Sequence, residues 1–180
     1  MSTADMKQNG VNQHSNTIIS SDRERFELHP EDRAAIEHEI EHYADPRAAS
    51  IDALKIVQKR YGWVPDGAIA AIGEVLGISA PDVEGVATFY NLIFRQPVGR
   101  NVIKVCDSIS CFLTGYDDVR DAISRQLNIG LGETTQDGRF TLLPICCLGA
   151  CDRGPVLMIN DDTHFNLAPD TVAQVLEQYA

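Results

Sequence analysis

Cys106 and Cys111 stand with four residues between them, and Cys147 and Cys151 with three. Thirty-five residues separate the two pairs. Thiolates are metal ligands and redox nucleophiles, and two short loops carrying two each can close the coordination of a small centre. Two irons bridged by two sulfides need four such terminal ligands. A structural zinc ion also takes four, with short spacings inside each pair. A dithiol enzyme needs only one pair, usually with two residues between its cysteines. The gaps here match neither zinc knuckles nor dithiol motifs well, so the order of preference is a two-iron cluster, then zinc, then a redox dithiol. Cys146 is left over beside Cys147, and it reads as a small buried hydrophobe.

Loops at the ends of strands present both pairs. Asn101 to Val105 is rich in branched apolar residues and reads as a buried strand ending at Cys106. Phe140 to Leu143 is a second strand, running on to Cys146 and Cys147. Gly149 allows a sharp backbone between Cys147 and Cys151, and Gly115 and Gly154 flank the site. A helix from about Tyr116 to Leu127 carries Val119, Ala122, Ile123 and Leu127 on one face, with Thr114 as its cap and Asp117 three residues on. Its positive end would face the thiolates. Arg153 could add further positive field. Asp137-Gly138 marks a turn. Pro155 to Asn160 and Thr163 to Asn166 read as two more strands, and Pro169 opens a closing helix with Val172, Val175, Leu176 and Tyr179 inward.

Ahead of this α/β unit the pattern is helical. Residues 1 to 29 read as a polar tail. From Pro30, apolar stripes at helical spacing predict four short helices: Ile36, Ile40 and Tyr43; Ala53, Leu54, Val57 and Tyr61; Ile69, Ile72, Val75 and Leu76; and Val83, Val86, Ala87 and Tyr90, the last running to about Ile93. Together they make a small bundle over 30–97. A Pro/Gly linker from Phe94 to Arg100 leads into the second unit, 98–180. His38, Glu39 and His42 carry the letters of the zinc-protease pattern, but a solvated acidic helix face is the preferred reading.

Bulk properties exclude several function classes. Apolar residues make up 44% of 180, enough for a core, and the formal net charge is −11. Nucleic acid binding is excluded, because it depends on neutralising phosphates with Lys and Arg. The first twenty residues have no apolar core of the kind a secretory signal needs. No run approaches the roughly 20 apolar residues of a membrane span. The expectation is a cytoplasmic chain without direct membrane insertion, in a compartment where paired cysteines bind metal or do redox chemistry. No glycine-rich phosphate loop is present, so no nucleotide or flavin site is evident.

Several stretches carry a resemblance. They are Cys-Asp-Ser-Ile-Ser-Cys at 106–111 with Gly115, and Gly-Arg-Phe-Thr-Leu-Leu-Pro-Ile-Cys-Cys-Leu-Gly-Ala-Cys at 138–151. Ile-Val-Gln-Lys-Arg-Tyr-Gly-Trp-Val-Pro at 56–65 and Asp-Val-Glu-Gly-Val-Ala-Thr-Phe-Tyr at 82–90 add to them. From about residue 30 to the end the chain resembles the thioredoxin-like [2Fe–2S] ferredoxin subunits of NADH:quinone oxidoreductase, respiratory complex I. That resemblance implies an α/β thioredoxin-like domain preceded by a small all-α helical bundle. It implies one [2Fe–2S] cluster held by Cys106, Cys111, Cys147 and Cys151, serving electron transport. It implies a flavin- and NADH-binding partner subunit (NuoF), which carries FMN and NADH, and the iron–sulfur subunit of the same peripheral arm of an inner-membrane complex. No catalytic residue is expected in this chain. The homologous subunit of an NAD-linked hydrogenase or formate dehydrogenase, and a zinc-stabilised interaction module, are the alternatives.

Overall fold

The computed structural model describes residues 26–179. Most of the stretch read as a polar tail, residues 1–25, lies outside the described residues. Its end does not read as expected: Phe26 and Leu28 pack against the helical core, and Phe26 meets the Tyr61 ring edge-on at 5.6 Å.

Four helices come first: α1 (Pro30–Ile40), α2 (Ser50–Tyr61), α3 (Asp66–Leu76) and α4 (Ala80–Phe89). Their limits follow from local chemistry. His29 caps α1 by accepting from the Glu31 amide. Gly62 and Gly77 close α2 and α3 in the left-handed region, which only glycine enters without strain. Ser79 caps α4 by accepting from Asp82 N. The apolar stripes meet in one buried cluster around Ile36, Leu54, Val57, Val64, Ile72 and Val83. Burying each such side chain is worth about 1.5–3 kcal/mol. Arg60 forks onto Asp32, which is itself buried, and so ties α2 to α1.

The last of these helices ends earlier than its pattern predicts, at Phe89 rather than Ile93. Residues 90–95 are held elsewhere by side chains distant in sequence. Gln58 accepts from Phe94 N at 2.6 Å and donates to Leu92 O at 2.9 Å. Val64 N donates to Phe94 O. Arg95 reaches the Val64 carbonyl, Glu84 and Asp66. A helix continuing past Phe89 would forfeit all of these.

The second unit runs β1 (Asn101–Cys106), α5 (Ile109–Leu113), α6 (Tyr116–Leu127), β2 (Phe140–Ile145), β3 (Leu157–Ile159), β4 (Asp162–His164) and α7 (Val172–Glu177). The sheet order is β2-β1-β3-β4. β1 and β2 are parallel, with Cys106 opposite Ile145; β3 lies antiparallel to β1, and β4 to β3. Alternation puts Ile103, Val105, Phe140, Leu142, Leu157 and Ile159 on one face, packed with Val119 and Ile123 of α6 and Val172 and Leu176 of α7. The Asp137-Gly138 turn forms as expected, with Gly138 at φ +65° and Asp137 Oδ1 accepting from Arg139 N. Thr114 is not the cap of α6. Its hydroxyl donates to Ser110 O and Cys111 O, ending the unforeseen α5, and Gly115 holds the α6 cap position.

Tyr179 ties the segment after α7 to β4. Its hydroxyl donates to Asp162 Oδ2 at 2.9 Å and meets His164 Nε2 at 2.9 Å. Burial, and then the Asp162 carboxylate, push the phenol up to about 12. The folded value lies above the unfolded value of about 10. The stability it contributes is therefore complete below about pH 10 and is lost as pH rises through the folded value. Tyr179→Phe is expected to be less stable than the parent at pH 8, and the difference should close between about pH 10 and 12. Urea melts across that range check it; a difference that persists unchanged at pH 12 would contradict the assignment.

Candidate metal centre

Parallel pairing makes β1 and β2 leave the sheet from the same edge, and each strand runs straight into a cysteine loop. Cys106 is the last residue of β1. Asp107 N donates to Ile145 O and Cys106 N to Val156 O, so the start of the first loop is tied to both neighbouring strands. Cys111 sits in the middle of α5. Both thiols of this pair are buried, and burial, followed by the neighbouring Cys106, pushes Cys111 up to about 11.

The second pair is exposed. Gly149 takes φ +82°, and its N–H donates to Cys147 Sγ at 3.3 Å. Cys151 Sγ lies 3.3 Å from Cys147 Sγ. The Gly149 amide, and then Cys151, favour the Cys147 thiolate and lower its pKa, while the Cys147 sulfur raises that of Cys151. The loops abut: a Cβ built on Gly154 would lie 3.4 Å from Cys111 Sγ and 2.7 Å from Thr114 Oγ1.

All four predicted cysteines thus meet at one end of the sheet as two pairs. Among the described residues, no three His, Cys, Asp or Glu side chains are placed to hold a metal ion as they stand. Two pairs of sulfur donors fit a group with two metal atoms, each needing two terminal thiolates. Cys146 is exposed, unlike the buried hydrophobe its type suggested.

Two serines between the first pair contribute as well. Ser108 occupies the N-cap position of α5 yet makes no side-chain cap bond; it lies close enough to favour the Cys147 thiolate slightly, as Ser110 does that of Cys151. These contacts cross from one loop to the other, so spacing along the chain could not reveal them. The cap signal at Ser108 could have revealed α5. Around the exposed pair the surface is apolar: Ile109, Phe112 and Leu113 of α5 are 70%, 51% and 76% exposed.

Other candidates fall away. Arg153 stacks 3.8 Å over the Phe165 ring. His42 lies beyond the end of α1, and its ring meets that of the exposed His38 at 5.0 Å without a third donor among the described residues.

Residues 36–180 match the family described as thioredoxin-like [2Fe-2S] ferredoxin. This chain belongs to that family. It is similar to the E subunit of NADH-quinone oxidoreductase from Pseudomonas aeruginosa, with 67% identity over 162 residues, covering 90% of this chain and 96% of that relative. It is similar to the same subunit of Escherichia coli, with 64% identity over 156 residues, covering 87% of this chain and 94% of that relative. Among solved structures, an NAD+-reducing [NiFe]-hydrogenase in the air-oxidized state shares the fold, with a TM-score of 0.59 and 20% identity over 74% of this chain and 22% of the longer hydrogenase chain. The family's fold is the expected one, a thioredoxin-like α/β unit, here preceded by helices. The curated relatives are subunits of an oxidoreductase. No helix among the described residues is long and apolar enough to cross a membrane.

Proposed function

We propose that this chain is the [2Fe–2S] electron-transfer subunit of the NADH-oxidising module of proton-pumping NADH:quinone oxidoreductase. The observation that carries the reading is the meeting of two cysteine pairs at one sheet edge in a chain 67% identical to the E subunit of such an oxidoreductase. Cys106, Cys111, Cys147 and Cys151 are the ligands in this reading. When bound, the cluster supplies a site that takes up and returns a single electron. Residues 98–180 form the cluster-bearing unit and 30–97 the helical unit.

The chain's own residues do four things. The buried pair Cys106 and Cys111 anchors the site in the sheet core. The Gly149 amide donates to Cys147 Sγ and favours its thiolate form. Ser108 and Ser110 lie beside the exposed pair and favour its thiolate forms slightly. Ile109, Phe112 and Leu113 offer the apolar surface on which a partner subunit seats and excludes water from the exposed sulfurs. That partner is the flavin- and NADH-binding subunit (NuoF), with the iron–sulfur subunit of the same arm as a further neighbour. One-electron exchange with the partner's FMN is the activity assigned here, on the cytoplasmic side in the peripheral arm. An NAD-linked hydrogenase as the parent enzyme has only the likeness of fold in its favour.

Anaerobic purification of the native complex tests the reading. The expected result is a complex containing the flavin subunit, with two irons and two labile sulfides per copy of this chain and an EPR signal that appears on reduction. One zinc per chain without sulfide would overturn it.

The serines give a finer test. A hydroxyl donating to a thiolate favours the more negative, reduced state, so its loss lowers the potential. Ser110→Ala is expected to lower the midpoint potential by on the order of tens of millivolts, with iron content unchanged. A redox titration followed by EPR measures it, and an unmoved potential would remove Ser110 from the site.

A further inference from the structure

A cleft of about 800 Å³ opens between α2 and the start of β1, at the opposite end of that strand from Cys106, about 17 Å away along the ladder. Lys55 and Lys59, one turn apart on α2, line it together with Arg100; Asp161 is the one acidic side chain among the lining residues. The ion pairs of the described residues are made by Arg33, Arg47, Arg60, Arg95, Arg120, Arg139 and Arg153, with His29 and His38. Lys55, Lys59 and Arg100 take part in none of these. In a chain of net charge −11, acids are plentiful. Three cations line one cleft without an ion pair within 4 Å among the described residues, although Asp137 lies within electrostatic reach of Arg100; they concentrate positive charge there in an otherwise acidic protein.

The chemistry of the lining selects the anion. Phosphate sites usually take backbone N–H donors. Here the glycine amides are spent: Gly62 N on Gln58 O, Gly99 N on Thr141 Oγ1, and Gly138 N on Thr135 O. Arg100 N is likewise bound to Gly138 O. An anion in the cleft is gripped only by three long, flexible cations above an apolar wall from Phe94 and Val98. That arrangement suits carboxylates spaced along a peptide better than a compact phosphate.

We propose that this cleft docks an acidic segment of another subunit of the same oxidoreductase, as a second contact away from the apolar surface beside the cysteines. The inference rests on reading the chain as a subunit of that complex. By gripping α2 and the linker-to-β1 junction at once, such a segment fixes the helical unit against the cluster-bearing one.

Zero-length carbodiimide coupling on the intact complex at low salt tests the proposal, with peptide mass spectrometry as the readout. Lys55 or Lys59 is expected to join an Asp or Glu of another subunit. The Lys55→Glu/Lys59→Glu/Arg100→Glu variant is expected to bind the remaining subunits roughly tenfold more weakly at low salt, with a flatter salt dependence. Its iron, sulfide and EPR signal should match the parent. Coupling confined to acids of this chain, together with unchanged association, would overturn the proposal. So would tight binding of inorganic pyrophosphate by the free chain through the same lysines. Iron and sulfide analysis of the same samples separates a failure here from a failure of the cluster assignment.

Discussion

Cys111→Ala and Cys147→Ala are each expected to abolish cluster retention, while Cys146→Ser retains the full complement of iron and sulfide. The two neighbours Cys146 and Cys147 are chemically identical, so only their surroundings distinguish them. Cys147 has the Gly149 N–H and Cys151 Sγ each at 3.3 Å. Cys146 has neither and is exposed. Cys111 is held inside α5, against Gly154 of the other loop. The measurement is iron, acid-labile sulfide and visible absorption on anaerobically purified protein, with circular dichroism to establish that the fold is intact. Cluster loss from Cys146→Ser with retention in Cys147→Ala would reverse the assignment.

The largest stability effect is expected at a glycine remote from the thiols. A Cβ on Gly99 would lie 2.9 Å from Phe140 C and 3.0 Å from Phe140 N. Both are backbone atoms of β2 and neither can swing away. Gly99 N also donates to Thr141 Oγ1 at 2.6 Å. Gly99→Ala must therefore part the entry to β1 from β2 or strain both, at a cost of about 2–3 kcal/mol. In a chain of this size that lowers Tm by roughly 5–10 °C. Gly85→Ala is the matched control: nothing lies within 4 Å of its Cβ position, and it sits within α4. There the same substitution should stabilise by about 0.5–1 kcal/mol. A Gly99→Ala protein that melts with the parent would refute the close approach.

Much of this was legible in the sequence, for identifiable reasons. Ile36, Leu54, Val57, Ile72 and Val83 recur at helical spacing and are buried, because a helix shows its period within one stretch of chain. The grouping of the cysteines into two pairs at the ends of β1 and β2 was legible because each pair is short-range in sequence. What stayed hidden was non-local. The end of α4 is set by Gln58 and Arg95, which compete for residues 90–95. The antiparallel place of β3 between β1 and β4 depends on pairings that no single segment encodes. The helix α5 is only five residues long, too short for periodicity, and the nearness of Ser108 and Ser110 to the second cysteine pair crosses two loops.

The side-by-side run of β1 and β2, Cys106 facing Ile145, works as a ruler for the distant halves of the site. Lengthening the α4-to-β1 connection around residues 95–97 leaves the mark on that ruler where it was. Inserting one residue within either strand slides its cysteine loop by about 3.3 Å and turns the following side chains to the other face. The tolerance of this protein to insertions is thus governed by phase along two strands rather than by distance from the sulfurs.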